Sequence, residues 1–316
     1  MASMKAFKST GNRSHLEDAL KHLWVFEQEK LDTTTQSVAG ALECRRIHAR
    51  KILAKLQEVG LAESRGETYR LTESGKEYAL QILRAHRLYE TFLANETGIV
   101  GKDWHAEAER VEHELSSEDT NRLAQALGHP RFDPHGDPIP TRAGQSTIRQ
   151  GCSLRNLKIG QLGRIVRLKD NPDTVFDRIC KAGLAPNLCF EIEQLSDDSI
   201  QLRIAGREIY CDREMVDSLI VEPLPENINF THEALRLSDL KLNQKAEILS
   251  ISPACRGTER RRLLDLGFVK GGIIELELNG IFKSPIAYRV RNTVVALRKN
   301  QSENIFVQIL GSNDPS

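Results

Sequence analysis

The stretch CRRIHARKILAKLQEVGLAESRGETYRL, residues 44–71, predicts a basic helix followed by a β-hairpin. Apolar residues recur at helical spacing from Ile47 to Val59, and Gly60 supplies the glycine at which helices commonly end. Residues 65–67, Arg-Gly-Glu, then separate two short segments that are typical of paired strands. A helix that leads into a hairpin is the second half of a winged helix-turn-helix.

Two helical patterns precede this stretch. Leucines and a tryptophan lie at helical spacing in LEDALKHLWVF, residues 16–26. The next segment, LDTTTQSVAGALE at residues 31–43, offers Thr33 to Thr35 as cap candidates and has a short apolar side. Helix, short helix, turn, longer basic helix and hairpin is the order of a winged helix-turn-helix, which we predict for residues 1–79.

The basic residues cluster at the N-terminal end of the longer helix. Residues 44–55 carry five lysines and arginines and no acidic residue. A solvated charged face would have the same composition, but this end of the second helix is where a helix-turn-helix contacts base edges. We therefore predict double-stranded DNA as a partner. The predicted contacts are Arg45, Arg46, Ile47, His48, Arg50 and Lys51.

An acidic, histidine-rich segment follows. Residues 73–127 have a helical pattern almost throughout, with a break near residues 98–102, and the Pro- and Gly-rich segment 128–145 reads as a loop. Residues 81–140 hold eleven acidic residues against six basic ones, and five of the nine histidines. Such a bias is typical of cation binding, so we predict an all-α, metal-binding domain at residues 80–142.

The helix WHAEAERVEHEL, residues 104–115, places four potential metal ligands on one arc of roughly 100° beside its apolar face. A solvated helix face is the alternative interpretation, but Glu109 and Glu112 on one stripe repel each other unless a cation offsets them. Oxygen and imidazole ligands without a thiolate favour Mn(II) or Fe(II) over structural zinc. The candidates are His105, Glu109, Glu112 and His113 on this arc, and the i,i+4 pairs His86 with Glu90 and Asp18 with His22 in earlier helices.

The remaining chain repeats itself. Residues 154–161, LRNLKIGQ, match residues 237–244, LSDLKLNQ. Each copy reads as a strand, one short helix and then several strands with turns between them. This pattern predicts two small β-barrels of about seventy residues each, at residues 150–225 and 235–312.

The whole chain excludes several classes of protein. None of its 316 residues belongs to an apolar run long enough to cross a membrane, and its start lacks the apolar core of a signal peptide, so we expect a cytoplasmic protein. The six scattered cysteines form no CxxC pair and are predicted to be reduced core thiols, with a metal shared by Cys180, Cys189 and Cys211 as the alternative. No nucleophile elbow, phosphate loop or HExxH motif occurs, so we do not expect an enzyme.

Three segments resemble the diphtheria-toxin-repressor family of iron- and manganese-dependent regulators. They are HRLYETFL (86–93), HAEAERVEHELS (105–116) and HPRFDPHGDPIP (129–140), and the resemblance covers residues 14–142. The repeats resemble the FeoA domain, an SH3-like barrel, and the second copy is the stronger match. The expected fold class is multi-domain α+β, with a winged helix-turn-helix, an all-α dimerisation domain and two small SH3-like β-barrels.

The resemblance implies a homodimeric transcription repressor that binds a palindromic operator when it is loaded with a divalent metal, Mn(II) or Fe(II). It also implies two metal sites in each chain. The first uses the residues that match Asp18, Glu109, Glu112 and His113, and the second uses those that match His86, Glu90 and His105.

Two positions refine this expectation. Iron sensors of the family usually have cysteine at the position of Glu109, so at this position the chain resembles the manganese sensors of the family. Two-domain manganese sensors have a glutamate ligand at the position of Lys21, and a lysine there predicts one metal at the first site and no closely spaced pair. The alternative function is a FeoA-type adaptor linked to metal transport, in which the FeoA-like domains bind a protein partner.

Overall fold

The computed structural model describes residues 10–97, 99, 103–146, 150–204, 206–225, 234–252, 255, 257–279 and 284–310. These residues belong to two compact units. The first comprises residues 1–90, 106–131 and 138–147, and the second comprises residues 91–105, 132–137 and 148–316. The boundaries of the four domains predicted from the sequence stay predictions.

The first unit begins with the predicted winged helix-turn-helix. Its elements are α1 (Thr10–Gln28), β1 (Thr33–Thr34), α2 (Thr35–Ala41), α3 (Arg46–Glu58), β2 (Ala62–Arg65) and β3 (Thr68–Leu71). The three strands form an antiparallel sheet in the order β1-β3-β2. Leucines of α1 and α3 form the core, among them the fully buried Leu20, Leu23, Leu53 and Leu56. Their burial fixes α3 against α1.

Local signals set the ends of α2 and α3. The Thr34 and Ser37 side chains accept hydrogen bonds from each other's backbone in a capping box that starts α2. Gly60 follows the end of α3 with a φ of +74°, as the sequence predicted. Two details differ from the prediction. Helix α1 begins at Thr10, and Thr33–Thr34 pairs with β3 as a strand too short to show a sequence period.

Three further helices are α4 (Glu73–Glu96), α5 (Trp104–Glu112) and α6 (Ser117–Ala126). The predicted break lies between α4 and α5, although residues 98 and 100–102 fall outside the described ones. Helix α5 ends three residues before the end predicted for it, because Ser116 caps α6 through a capping box with Asp119. His113 therefore lies just beyond the end of α5.

The second unit contains two six-stranded antiparallel sheets. The first copy consists of β4 (Cys152–Ser153), β5 (Leu162–Leu168), α7 (Asp173–Lys181), β6 (Cys189–Leu195), β7 (Ser199–Ile204), β8 (Arg207–Asp212), α8 (Arg213–Ser218) and β9 (Leu219–Pro223). The second consists of β10 (Ala234–Arg236), β11 (Lys245–Ile251), α9 (Gly257–Asp265), β12 (Ile273–Asn279), β13 (Ile286–Val290), β14 (Thr293–Leu297), α10 (Lys299–Ser302) and β15 (Ile305–Ile309).

The two sheets share one strand order. It is β4-β9-β5-β6-β7-β8 in the first copy and β10-β15-β11-β12-β13-β14 in the second. In both copies the first strand therefore pairs with the last one. The repeat read from the sequence is thus a repeat of topology, while closure of each sheet into a barrel stays a prediction.

The six cysteines are all free, and Cys180, Cys211 and Cys255 are buried. Within the described part of the chain, none of the side-chain groups that could hold a metal includes a cysteine. The burial of these three cysteines agrees with the predicted core thiols, whereas the other three cysteines are half-buried, and nothing here supports a shared thiolate site. Among the described helices, none has both the length and the apolar character that a membrane span requires.

Candidate metal centre and nucleic-acid interface

Three predicted ligands meet in the first unit. Asp18 on α1, Glu112 at the end of α5 and His113 just after it each offer one ligand atom, and these atoms all lie within 4.8 Å of one another. His113 Nε2 is 3.3 Å from Asp18 Oδ1 and 3.5 Å from Glu112 Oε1. Glu112 is buried, while Asp18 and His113 are half-buried. The group therefore joins the first helix of the winged helix-turn-helix to the end of α5.

A lysine lies in the same cluster. Lys21, one turn after Asp18 on α1, contacts Glu112 Oε1, and its Nζ is 3.3 Å from Asp18 Oδ1 and 3.8 Å from Glu109 Oε1. Burial alone would lower the pKa of Lys21, but attraction to the carboxylates of Glu112 and Asp18 outweighs it and raises that pKa. Lys21 is therefore a charged ammonium group among three carboxylates.

Glu17 is a member of the cluster that the sequence did not single out. Its side chain is buried, accepts a hydrogen bond from Arg13 Nε at 2.7 Å and another from the Tyr78 hydroxyl, and lies 2.6 Å from His113 Nδ1. Burial alone would raise the pKa of Glu17, but hydrogen bonds from His113, Tyr78 and Arg13 lower it. Glu17 thus holds the imidazole so that its Nε2 faces Asp18 and Glu112.

A signal for Glu17 was present in the sequence. At 100° per residue it falls near Leu20 and Trp24 on the apolar side of α1. An ionisable residue at the edge of an apolar stripe needs a buried partner, because an unpaired buried charge is costly. That reasoning predicts a partner for Glu17 but does not identify it as His113, which lies far away in the sequence.

The imidazole of His113 carries a proton over most of the pH range. Burial alone would lower the pKa of His113, but hydrogen bonds to Asp18 and Glu17 and attraction to Glu112 raise it to about 9. Because a bound metal needs a free lone pair on the imidazole, His113 has to lose this proton before it can act as a ligand.

His86 connects to the first cluster through Glu112. Its Nε2 lies 3.0 Å from Glu90 Oε1 on the same helix, and its Nδ1 contacts Glu112 Oε2. All three side chains are buried. Burial would lower the pKa of His86, but Glu90 and Glu112 raise it. Glu112 therefore uses one oxygen toward Lys21 and the other toward His86, a link between the two predicted sites that the sequence did not reveal.

Two further predicted ligands are Glu109 and His105. Glu109 is 49% exposed and falls outside the three-residue group around Asp18. His105 belongs to the second unit, where its Nδ1 is 3.7 Å from Asp170 Oδ2. The participation of Glu109 in the first site, and the second site of His86, Glu90 and His105, both stay predictions.

The predicted DNA-contact residues lie at the start of α3. Ile47 is 68% exposed, which is unusual for a large apolar side chain, and the His48 ring packs edge-on against the His15 ring at 5.5 Å between centroids. Over the described ranges, the four basic members of this set are exposed and form no ion pair. They are Arg45, Arg46, Arg50 and Lys51. This surface therefore presents unpaired positive charge around an apolar side chain.

The donor set fits a divalent cation. Two carboxylates and one imidazole are ligands that suit Mn(II) and Fe(II). The carboxylates already attract the Lys21 ammonium, so the cluster has the negative charge that a metal ion needs. Asp18 and Glu112 lie on separate elements, so a shared cation would hold α1 against the end of α5.

Comparisons with known families cover most of the chain. Residues 72–141 match the family "Iron dependent repressor, metal binding and dimerisation domain". Residues 152–223 and 235–309 each match the FeoA domain. These matches agree with the two resemblances read from the sequence.

Individual proteins give the same result. The iron-dependent repressor IdeR of Mycobacterium tuberculosis is 25% identical in an alignment 228 residues long that covers 64% of this chain and 94% of that protein. The diphtheria toxin repressor of Corynebacterium efficiens is 30% identical in an alignment 164 residues long that covers 47% of this chain and 71% of that protein. A solved manganese-dependent transcriptional repressor in complex with manganese is 29% identical, with a TM-score of 0.61, over 66% of this chain and all of its own.

Along the chain, the match to the metal-binding and dimerisation domain comes first and the two FeoA matches follow it. The chain belongs to the iron-dependent repressor family that includes the diphtheria toxin repressor.

Proposed function

We propose that the protein is a DNA-binding transcription repressor that a divalent metal ion, Mn(II) or Fe(II), activates for operator binding. One observation carries this proposal: the ligand group of Asp18, Glu112 and His113 connects α1 to the end of α5. Its position means that metal occupancy and the placement of the winged helix depend on each other.

The proposed coupling uses contacts within the first unit. Asp18 would bind the ion from α1, Glu112 would bind it from the last residue of α5, and His113 from the residue after it. Because α1 packs on α3 through buried leucines, holding α1 also holds the recognition helix. The ion supplies the electrostatic bridge. By linkage, DNA must then raise the affinity for metal by the same factor by which metal raises the affinity for DNA.

The family match includes a dimerisation domain, so we propose a homodimer. Two copies of α3 related by a two-fold axis would contact half-sites about one helical turn apart, ~34 Å. This arrangement predicts a palindromic operator. Arg45, Arg46, Arg50 and Lys51 would bind phosphates or bases, with Ile47 and His48 near base edges.

We propose His86, Glu90 and His105 as a second metal site. The contact of His86 with Glu112 supports a connection between the sites, because any ligand that moves His86 also changes the surroundings of Glu112. In this proposal, occupancy of the second site changes the surroundings of the first site, and the first site remains the one that activates DNA binding.

The decisive experiment is a gel shift with the full chain. Random-sequence duplexes are selected for binding in the presence of Mn(II), and a selected duplex is then tested with Mn(II), with Fe(II) under anaerobic conditions and with EDTA. We expect a metal-dependent shift that Glu112→Ala abolishes and that the exposed Glu114→Ala retains. Binding that is equal with and without EDTA would contradict metal activation.

A second role is favoured for the FeoA-like copies by one observation. Ile159 and Leu242 occupy corresponding places in the repeats, and they are 63% and 53% exposed. An exposed apolar residue repeated in both copies suits a protein contact, so we propose an adaptor role for this half in addition to repression. The double substitution Ile159→Ser and Leu242→Ser should leave metal-dependent DNA binding unchanged. A loss of the gel shift would assign these residues to the repressor function instead.

A further inference from the structure

We propose that Lys21 is an internal cation that competes with the metal ion for Asp18 and Glu112 and thereby sets the metal concentration at which the protein becomes loaded. This inference rests on the proposed function. It gives control of the metal concentration needed for loading to Lys21, a residue outside the ligand set.

The competition follows from shared oxygen atoms. Lys21 Nζ contacts Glu112 Oε1 and lies 3.3 Å from Asp18 Oδ1. The same two oxygens lie 3.5 Å and 3.3 Å from His113 Nε2. The ammonium group therefore contacts the atoms that, together with the imidazole, would surround an ion.

Simultaneous occupancy is unfavourable. An ammonium group has no lone pair and cannot become a ligand, so it cannot join the coordination shell. An ion held by both oxygens would lie within a few ångströms of Nζ, where two positive charges repel strongly in a partly buried site. Lys21 has to leave these oxygens when a metal binds.

The structure provides a path for that departure. The Lys21 side chain is only 13% exposed, but Glu109, 3.8 Å from Nζ, is 49% exposed. The open side of the cluster thus lies at Glu109. Lysine has a flexible four-carbon stem, so the ammonium group can move toward that side without a change in α1.

Population arithmetic gives the size of the effect. If a site is available for only a fraction of the time, its apparent dissociation constant equals the intrinsic constant divided by that fraction. An ammonium group that occupies the oxygens for 90–99% of the time would therefore weaken metal binding by roughly ten- to one-hundredfold. Removing it should recover this factor.

The test measures Mn(II) binding to the full chain by equilibrium dialysis, which gives both affinity and stoichiometry. We expect Lys21→Met, which keeps most of the stem and removes the charge, to lower the dissociation constant roughly ten- to one-hundredfold. Lys21→Arg should keep the binding weak. The control Lys76→Met removes a lysine that pairs with Glu73 at 2.9 Å on the surface, and it should bind Mn(II) as the wild type does.

Thermal unfolding of the metal-free proteins supplies the second readout. Lys21→Met leaves the carboxylates without their counter-ion, so we expect it to melt below the wild type without metal and to gain more from added Mn(II). If Lys21→Met does not fold, Lys21→Gln takes its place, because the amide can still donate to one carboxylate.

The outcomes separate the two proposals. Unchanged or weaker Mn(II) binding in folded Lys21→Met would overturn the competition while the repressor proposal stands. If Glu112→Ala binds as many Mn(II) ions as the wild type with equal affinity, then the cluster is not the metal site, and the proposed function fails first.

Discussion

Two groups of positive charge in this protein differ in the source of their counter-ions. The basic residues at the start of α3 are exposed and, over the ranges described by the structure, have no ion pair. Lys21 on α1 is mostly buried and contacts carboxylates on two elements. Unpaired surface cations thus point to an external anion, whereas a buried cation in a carboxylate cluster takes part in an equilibrium inside the protein.

The two regions should also respond differently to substitution. Removing one exposed charge leaves water in its place and little else changes. Removing one member of a buried network leaves its partners without compensation, which typically costs about 3–5 kcal/mol. The cluster around Glu112 should therefore affect stability and metal binding together, and α3 should affect DNA binding alone.

Glu112→Gln tests this contrast where the effect should be largest. Glu112 is fully buried and contacts both Lys21 and His86, so we expect the affinity for Mn(II) to fall by more than about 100-fold, beyond the 10–100-fold typical of a supporting residue. Equilibrium dialysis measures the affinity, and urea denaturation measures the accompanying loss of stability. Glu114→Gln, two residues away and exposed, is the matched control. Equal affinities in both variants would contradict the buried network.

Arg46→Ala and Lys51→Ala test the other side of the comparison. Each should weaken binding of the metal-loaded protein to the selected duplex by about 1–3 kcal/mol if it contacts a base, and leave Mn(II) affinity unchanged. Quantitative gel shifts at several salt concentrations measure both the loss and the salt dependence. Arg122→Ala removes an exposed arginine that pairs with Glu118 at 2.6 Å and should bind as the wild type does. If both α3 variants bind the duplex as the wild type does, α3 is not the helix that contacts the bases.

The pH dependence of the metal-free protein tests the internal cluster without DNA. The pKa of His113 is raised to about 9, from an ordinary value of 6.5. Its stabilising effect is thus complete below pH 6.5 and disappears as the pH rises through 9. We expect urea denaturation in EDTA to show a loss of about 1–3 kcal/mol over this range. His113→Gln should flatten the curve, and an equal slope in both proteins would show that another group is responsible.

Glu109→Gln should have the smallest effect among the four residues predicted for the first site. Glu109 is half-exposed and lies outside the three-residue ligand group. We expect Mn(II) affinity to change less than about tenfold, below the lower limit typical of a supporting residue. Equilibrium dialysis beside Glu112→Gln gives the comparison. A loss as large as that of Glu112→Gln would place Glu109 in the coordination shell and sharpen the site to four protein ligands.

The winged helix could be predicted because its signals are local. The period of α3, the glycine after it and the hairpin turn all lie within a few residues of the elements they define. The repeats were visible for a related reason, since two copies of one pattern reinforce each other. The two-residue strand β1 was not predicted, because it is recognised by its pairing with β3 and has no sequence period of its own.

The candidate site could be predicted only in part. Helical spacing placed Glu112 and His113 on one arc and made Asp18 a candidate on an earlier helix, and the family resemblance assigned these residues to one site. The contacts of Glu17 with His113, and of His86 with Glu112, join residues far apart in the chain, so no local pattern contains them. The sequence also marked Lys21 as unusual, but only the folded chain places its ammonium group on the oxygens of Asp18 and Glu112.

The pairing of first and last strands has a consequence for how this chain acquired its length. Cys152 lies opposite Val221 in the first copy, and Ala234 lies opposite Gln308 in the second. The chain therefore enters and leaves each copy on neighbouring strands, about 4.8 Å apart. A segment with adjoining ends can be inserted or duplicated while the flanking chain keeps its course. A second FeoA domain can thus follow the first without a change in the course of the strands within either copy.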